Sequence, residues 1–502
     1  MDFLYIPSPF SRKIGESGYG QPLYSMLEYR GIWKGRDFCM SQTLAAPRIT
    51  EGVIWKQLLS FFFPILLGTF FQQLYNTVDA IVVGRAVGTQ ALAAVGATSA
   101  LINLFNGFFI GLSTGATVLL SQLYGGDNLP RSRDALHTGM ALSVVLGLAA
   151  MALGVFTGPA LLRQMHTPEN CLADAEIYVR IYFLGALASM VYNMGSGILR
   201  AMGDSRRPVV FLAVACGVNI VLDLVCVVWL KMGIAGAALA TIGSQLISAL
   251  LVLRSLRRLP EQLRLEWKMM RLDMSLLKRI LYVGIPAGLQ FITFDLANVL
   301  IQSSINSFGD VAMAAWTAYA KTDAMTWQIS GAFGVSITTF VGQNFGAQKY
   351  QRIRQSVRVC MGMGLAMAAG MSGLELVLRR FILGIYTTDP EVIAAGAYVM
   401  LCIIPFNVVF TPVEVFAGAM RGTGYSIVPT VITCTCVCLF RVVWIWLVVE
   451  RWHHLGVLAM AYPLSWVLCA IVFTVAYLRG TWLHKRIAQI GLEPEQPRHK
   501  LG

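Results

Sequence analysis

Arg200-Ala-Met-Gly203-Asp-Ser-Arg-Arg-Pro208 returns 221 residues later as Arg421-Gly-Thr-Gly424-Tyr-Ser-Ile-Val-Pro429. The shared Arg-x-x-Gly-x-x-x-x-Pro pattern reads as a basic anchor, a flexible glycine and a proline that opens the next helix, which is the chemistry of scaffold. The same offset pairs Gln122 with Gln343, Gly125 with Gly346, Arg131 with Arg352, Arg133 with Arg354 and Gly197 with Gly418. An offset of 222 serves the first helix of each half, matching Pro64 with Pro286, Leu74 with Leu296 and Asn76 with Asn298. One single-residue gap therefore aligns most of the two halves, and the chain is a duplication whose two lobes share a fold.

What is duplicated is membrane-spanning. Of 502 residues 56% are hydrophobic and only 13% charged, too little polar surface to coat a soluble body of this size. The apolar material arrives in runs of roughly 20 residues, enough to cross roughly 30 Å of hydrocarbon as helix. Twelve spans are expected, near 57–83, 92–123, 137–160, 177–199, 208–230, 234–253, 278–305, 312–344, 357–378, 392–420, 427–449 and 455–478. The fold class is an all-α membrane protein of twelve transmembrane helices in two parallel six-helix repeats. Six spans per unit make both halves enter the bilayer from the same side.

The formal charge of +13 does not point to nucleic acid, because the basic residues sit in short segments between apolar runs. With the amino terminus inside, 30 Lys and Arg fall in cytoplasmic segments against 6 outside, so the positive-inside rule puts both termini in the cytoplasm. Residues 1–50 form a polar extension that is neither signal peptide nor span, and Met40 offers a more ordinary start. Residues 51–253 are the first lobe and 254–277 a basic cytoplasmic linker, solvated against anionic headgroups. Residues 278–480 are the second lobe and 481–502 a cytoplasmic tail.

The cysteines lie mostly within apolar runs, which argues against a disulfide framework, and Cys434-Thr-Cys436-Val-Cys438 spreads around a helix instead of converging on a metal. The six histidines fall in loops, helix ends or the tail, leaving carboxylates to move charge inside the membrane. Duplicated scaffolds share packing, so an ionisable group that one half has and the other replaces with an apolar residue is a functional candidate. Asp79 in span 1 corresponds to Ile301, and Asp223 in span 5 to Trp444. Each lies fifteen residues after its span's proline, Pro64 or Pro208, so the two share a depth in the outer half. Asn219 sits one turn before Asp223 on the same face, and Asp79, Asn219 and Asp223 can form one site. A carboxylate at that depth costs roughly 2.5–3.5 kcal/mol unless paired, hydrated or protonated. The second lobe carries Asp295, Lys321, Asp323, Glu414 and Arg441 inside its spans, with self-neutralising pairs such as Glu414 with Arg441 expected.

Tyr75-Asn-Thr-Val-Asp79-Ala-Ile-Val-Val-Gly84, Arg200-Ala-Met-Gly203-Asp204 and Asn219-x-x-x-Asp223 together resemble the multidrug and toxic compound extrusion (MATE) family of the MOP superfamily, over residues 52–480. The resemblance implies a cation-coupled antiporter that exports organic compounds or drugs by alternating access of two lobes. The Asn-x-x-x-Asp of span 5 is similar to the DinF-like branch, which makes Asp79, Asn219 and Asp223 a proton-responsive site, or a Na+ site in the alternative, with no other metal and no cofactor. The NorM-like branch carries further acids at positions that are Phe294 and Phe410 here. Gln72, Asn76, Tyr192 and Asn193 are expected substrate contacts for small organic cations or amphipathic drugs. The implied setting is a bacterial inner membrane, the lipid bilayer the other partner, the protein functional as a monomer and not an enzyme. The rival reading is a flippase of lipid-linked saccharides, which would want a basic central cavity for pyrophosphate. No Walker A or HExxH occurs.

Overall fold

In the computed structural model the described residues are 49–480 apart from 166, together with 482, 483 and 487. The expected polar extension (but for its last two residues) and nearly all of the tail lie outside them. The chain divides into Met1–Thr43 and Leu44–Gly502, and all described residues belong to the second.

Twelve helical rods follow in chain order. The first lobe holds α1 (Ile54–Ala86), α2 (Thr89–Gly125), α3 (Leu129–Gln164), α4 (Glu169–Leu184 and Ala186–Ala201), α5 (Arg206–Trp229) and α6 (Gly233–Arg257). The second holds α7 (Met274–Asn306), α8 (Asp310–Gly346), α9 (Tyr350–Tyr386), α10 (Pro390–Gly422), α11 (Ile427–Val449) and α12 (Leu455–Leu478). Ten of them are long and apolar enough to cross a membrane. The other two depart for local reasons: α4 breaks at Gly185 into halves of 16 residues, and α8 carries Asp310, Lys321 and Asp323. Several rods run well past their expected ends; α9 has 37 residues, so its termini reach beyond a 30 Å slab. Large apolar side chains such as Phe156, Trp229, Val377 and Leu478 stand three-quarters or more exposed around the bundle, a surface that only lipid can cover.

Two apolar cores form, one centred in each lobe, and each borrows from the other's first helix: Leu58, Phe61 and Phe62 of α1 join the second core, Leu276 and Ile280 of α7 the first. The lobes meet chiefly where α2 crosses α7, and glycine permits the approach: a β-carbon at Gly111 would stand 2.2 Å from the Gly288 backbone nitrogen, and one at Gly115 2.2 Å from the Ile280 carbonyl. At the end of the bundle where α2 and α8 terminate, hereafter the base, the repeat pairs meet across the pseudo-twofold axis. Gln122 Nε2 donates to the Gly422 carbonyl at 2.9 Å, and Gln343 Nε2 donates to the Ala201 carbonyl at 2.8 Å. Ala201 and Gly422 are themselves an offset-221 pair, so the two bonds are one contact made twice. Gln343 also accepts from the Ile49 backbone N–H at 3.0 Å, tying the segment before α1 to the second lobe.

The basic linker is docked rather than loose. Leu259, Leu263 and Leu265 are buried, Glu266 bridges Arg133 at 3.0 Å and Arg264 at 2.9 Å, and the Glu266 backbone N–H donates to buried His137. Asp273 caps α7, accepting from the N–H groups of Ser275 and Leu276. Hydrogen bonds from the Ser275 hydroxyl first, then those backbone donors, hold its carboxyl below the usual aspartate range. A depressed value stabilises the fold above the unfolded-state pKa, and the contribution fades as pH falls through the folded one. Asp273→Ala should therefore lower the thermal midpoint in detergent at neutral pH by a few degrees at most, and the deficit should vanish in strong acid. An equal deficit at every pH would assign the loss to packing instead.

Candidate functional site

Asp79 projects from α1 and Asp223 from the last α-helical turn of α5, two helices that pack side by side in the first lobe. Beyond Asp223 the helix widens into a π-helical stretch, Leu224–Trp229. Ile445–Val449 is also π-helical and occupies the equivalent place in the second lobe, so the widening belongs to the duplicated scaffold and the acid does not. The structure brings the three expected coupling residues into the same buried layer. Asp79 is 6% exposed, and Asn219 and Asp223 are fully buried. Five of their polar atoms are idle: Asp79 Oδ1, both amide atoms of Asn219 and both oxygens of Asp223 have no hydrogen-bond partner. Asp223 lies within electrostatic reach of Asp79, as do Tyr75 and Tyr178, and no basic side chain pairs with either acid among the described residues. Two buried acids with unused oxygens can take up a proton or a hard cation, since an unpaired buried carboxylate is otherwise costly.

The second lobe's charges sort differently. Asp323 is saturated, accepting from Asn407 Nδ2 at 2.6 Å, Trp327 Nε1 at 2.8 Å and the Tyr319 hydroxyl at 3.1 Å. Glu375, buried on α9, accepts from Thr326 at 2.9 Å through Oε1, and its Oε2 has no partner. The expected Glu414–Arg441 pair does not form. Glu414 instead meets Arg421, two turns along its own helix, at 3.5 Å. Arg441 is fully buried, donates from Nε to Ser465 at 3.2 Å and lays its guanidinium 3.9 Å from the Tyr462 ring centre. An aromatic face substitutes for a carboxylate there. Lys321 is exposed and Asp295 half-buried. Sequence reading passed over Glu375 and Asn407, though the repeat comparison could have found both: they stand opposite Gly154 and Ala186 in the first lobe.

Between the lobes lies a cavity of about 380 Å³. Thr117, Thr338, Arg200 and Arg421 line it toward the base, and Asp295, Glu414, Phe294, Trp327 and Phe410 line it further in. Arg200 and Arg421, read from sequence as scaffold, are thus cavity residues. None of the four expected substrate contacts lines this cavity. Gln72 and Asn76 are exposed on α1, the Tyr192 hydroxyl donates to the Pro208 carbonyl at 3.2 Å, and the Asn193 amide turns back to the Ser189 carbonyl at 3.0 Å.

A two-lobed helical bundle with a central cavity and buried, unpaired acids in one lobe is the build of a membrane transporter. The profile of the MatE family matches residues 64–225 and again 286–447, and the chain belongs to the MATE family. It is 25% identical over 458 residues to the probable multidrug resistance protein YoeA of Bacillus subtilis (strain 168), covering 89% of this chain and 98% of that one. Its identity with the probable multidrug resistance protein YpnP of the same organism is 30% over 385 residues, 75% of this chain and 84% of that one. A solved structure described as the outward-facing conformation of a multidrug resistance MATE family transporter of the MOP superfamily superposes with a TM-score of 0.82 at 20% identity, covering 89% of this chain and all of that one. The described residues, all-helical in their regular structure, share the fold of that solved transporter, and the multi-pass membrane character follows.

Proposed function

We propose that this transporter is a cation-coupled antiporter of the DinF-like branch that exports organic, often cationic, compounds by alternating access, with protons as the coupling ion and Na+ as the alternative. The observation that carries the reading is the cluster of Asp79, Asn219 and Asp223, buried with five polar atoms unused and confined to one lobe. Its donors toward a cation are all oxygens, which suits a proton or a hard cation. Protonation there and cargo in the cavity would each favour one arrangement of the lobes, and exchange follows because both ligands bias the same equilibrium. The base, closed by the two glutamine contacts, would be the cytoplasmic gate of a protein in a bacterial plasma membrane, working as a monomer with both termini inside.

The relatives named as multidrug resistance proteins support drug export over the lipid-linked saccharide flippase, and the acids Asp295 and Glu414 beside the cavity arginines argue in the same direction. The test is efflux from proteoliposomes under an imposed pH gradient or an imposed sodium gradient, each applied alone. Export driven by the pH gradient alone is the expected result. Export driven by sodium alone would change the ion, and movement of a lipid-linked sugar without any gradient would replace the reading.

A further inference from the structure

The two cavity arginines occupy equivalent places in the repeats and have unequal partners. Arg421 is met by Glu414 at 3.5 Å and by Gln290 Oε1, also at 3.5 Å. In the first lobe the residue equivalent to Glu414 is Asn193 and the one equivalent to Gln290 is Gly68. Asn193 spends its amide on Ser189, and Gly68 has no side chain to offer. Arg200 consequently has no hydrogen bond or ion pair among the described residues, and its Nε is buried without a partner. Tyr192 stands beside it but donates its own proton to Pro208.

A guanidinium that lines a cavity, is partly desolvated and has lost both partners its twin retains is an unfilled anion receptor. The twin shows what fits: Arg421 takes a carboxylate. The cavity also offers aromatic faces at Phe294, Trp327 and Phe410, and its two arginines balance Asp295 and Glu414, so an aromatic cargo bearing both a cationic and an acidic group meets no net repulsion. The geometry points to Arg200 as a subsite for the carboxylate of an aromatic cargo, the cargo supplying the acid that the first lobe lacks at Asn193. This deepens the export reading by naming the residue that takes the acidic group of such a cargo, and it rests on the cavity alone and not on which ion is coupled.

Equilibrium binding to the detergent-solubilised full chain tests it without any gradient, so failure here is separable from failure of ion coupling. The probes are a zwitterionic rhodamine with a free carboxyl and its cationic methyl ester, which share one aromatic body. Wild type should prefer the acid over the ester by about tenfold, about 1.4 kcal/mol. Arg200→Gln should bring that ratio to about one. Asn193→Glu, which rebuilds the second lobe's pair in the first, should do the same by occupying Arg200 from within. Equal binding of acid and ester by wild type would overturn the subsite, as would a tenfold preference that survives in Arg200→Gln. A ratio abolished by Arg200→Gln and untouched by Asn193→Glu would overturn the claim that the cargo's carboxylate takes the place of the missing repeat acid.

Discussion

Asp79→Asn and Asp223→Asn should each abolish gradient-driven export while leaving the protein folded and at least as heat-stable as wild type. Asparagine keeps the shape of a protonated carboxyl and cannot release a proton or bind a cation with a full charge. If the acids only filled space, the change would be silent. If they couple ion to cargo, the gradient loses its hold on the lobe equilibrium, and coupling free energies of about 1–3 kcal/mol correspond to about 5–150-fold in affinity. The stability half follows from burial. Three carboxylate oxygens in this layer have no partner and the two acids repel one another, so removing one charge removes a cost. A variant that gains stability and loses function is the signature of a strained functional site. Passive exchange of cargo between the two sides of the vesicle should persist in both variants, which separates lost coupling from a lost pathway. Wild-type export under the gradient in both would remove Asp79 and Asp223 from the mechanism, and a loss of export that tracks a loss of folded protein would reduce them to structural residues.

The lobes were legible because duplication repeats itself at a fixed offset, and a span of apolar helix announces its length and its turn chemistry locally. Asp79 and Asp223 were legible through the same comparison, since shared packing cancels and Ile301 and Trp444 expose the difference. What sequence could not show was how charges distribute across helices distant in sequence. Glu414 and Arg441 had compatible signs and depths, but Arg421 lies on the same helix as Glu414 and reaches it without crossing the lobe, while Arg441 finds Ser465 and the Tyr462 face on α12. Arg200 and Arg421 read as anchors in the sequence because a place repeated in both halves looks the same whether it faces headgroups or a cavity. The partners that tell them apart, Glu414 and Gln290 against Asn193 and Gly68, become meaningful only when α4, α7 and α10 are placed around one space.

The second large effect concerns the base. A β-carbon at Gly346 would stand 1.8 Å from the Gln122 carbonyl oxygen, and one at Gly125 2.0 Å from the Gln343 carbonyl oxygen. Both obstacles are helix backbone, which has no rotamer by which to step aside, so Gly346→Val must push α2 and α8 apart and with them the paired glutamine bonds to Gly422 and Ala201. The expected cost is about 3 kcal/mol or more, from overpacking together with buried carbonyls left unpaired. Gly370→Val is the matched control, a helical glycine with nothing within 4 Å of the added carbon, and should change stability by less than about 0.5 kcal/mol. Thermal unfolding in detergent reads both. Because the clash lies at one end of the bundle while the α2–α7 crossing at Gly111 and Gly115 is untouched, the lobes need not separate altogether. In protein that survives, hydrogen exchange should rise around residues 122–125 and 343–346 and stay low in the lobe cores, the pattern of an opened base. Exchange rising uniformly would mean that the contact holds the fold together and has no part in gating. Unchanged stability in Gly346→Val would mean that the close glycine contact is not how the two lobes meet.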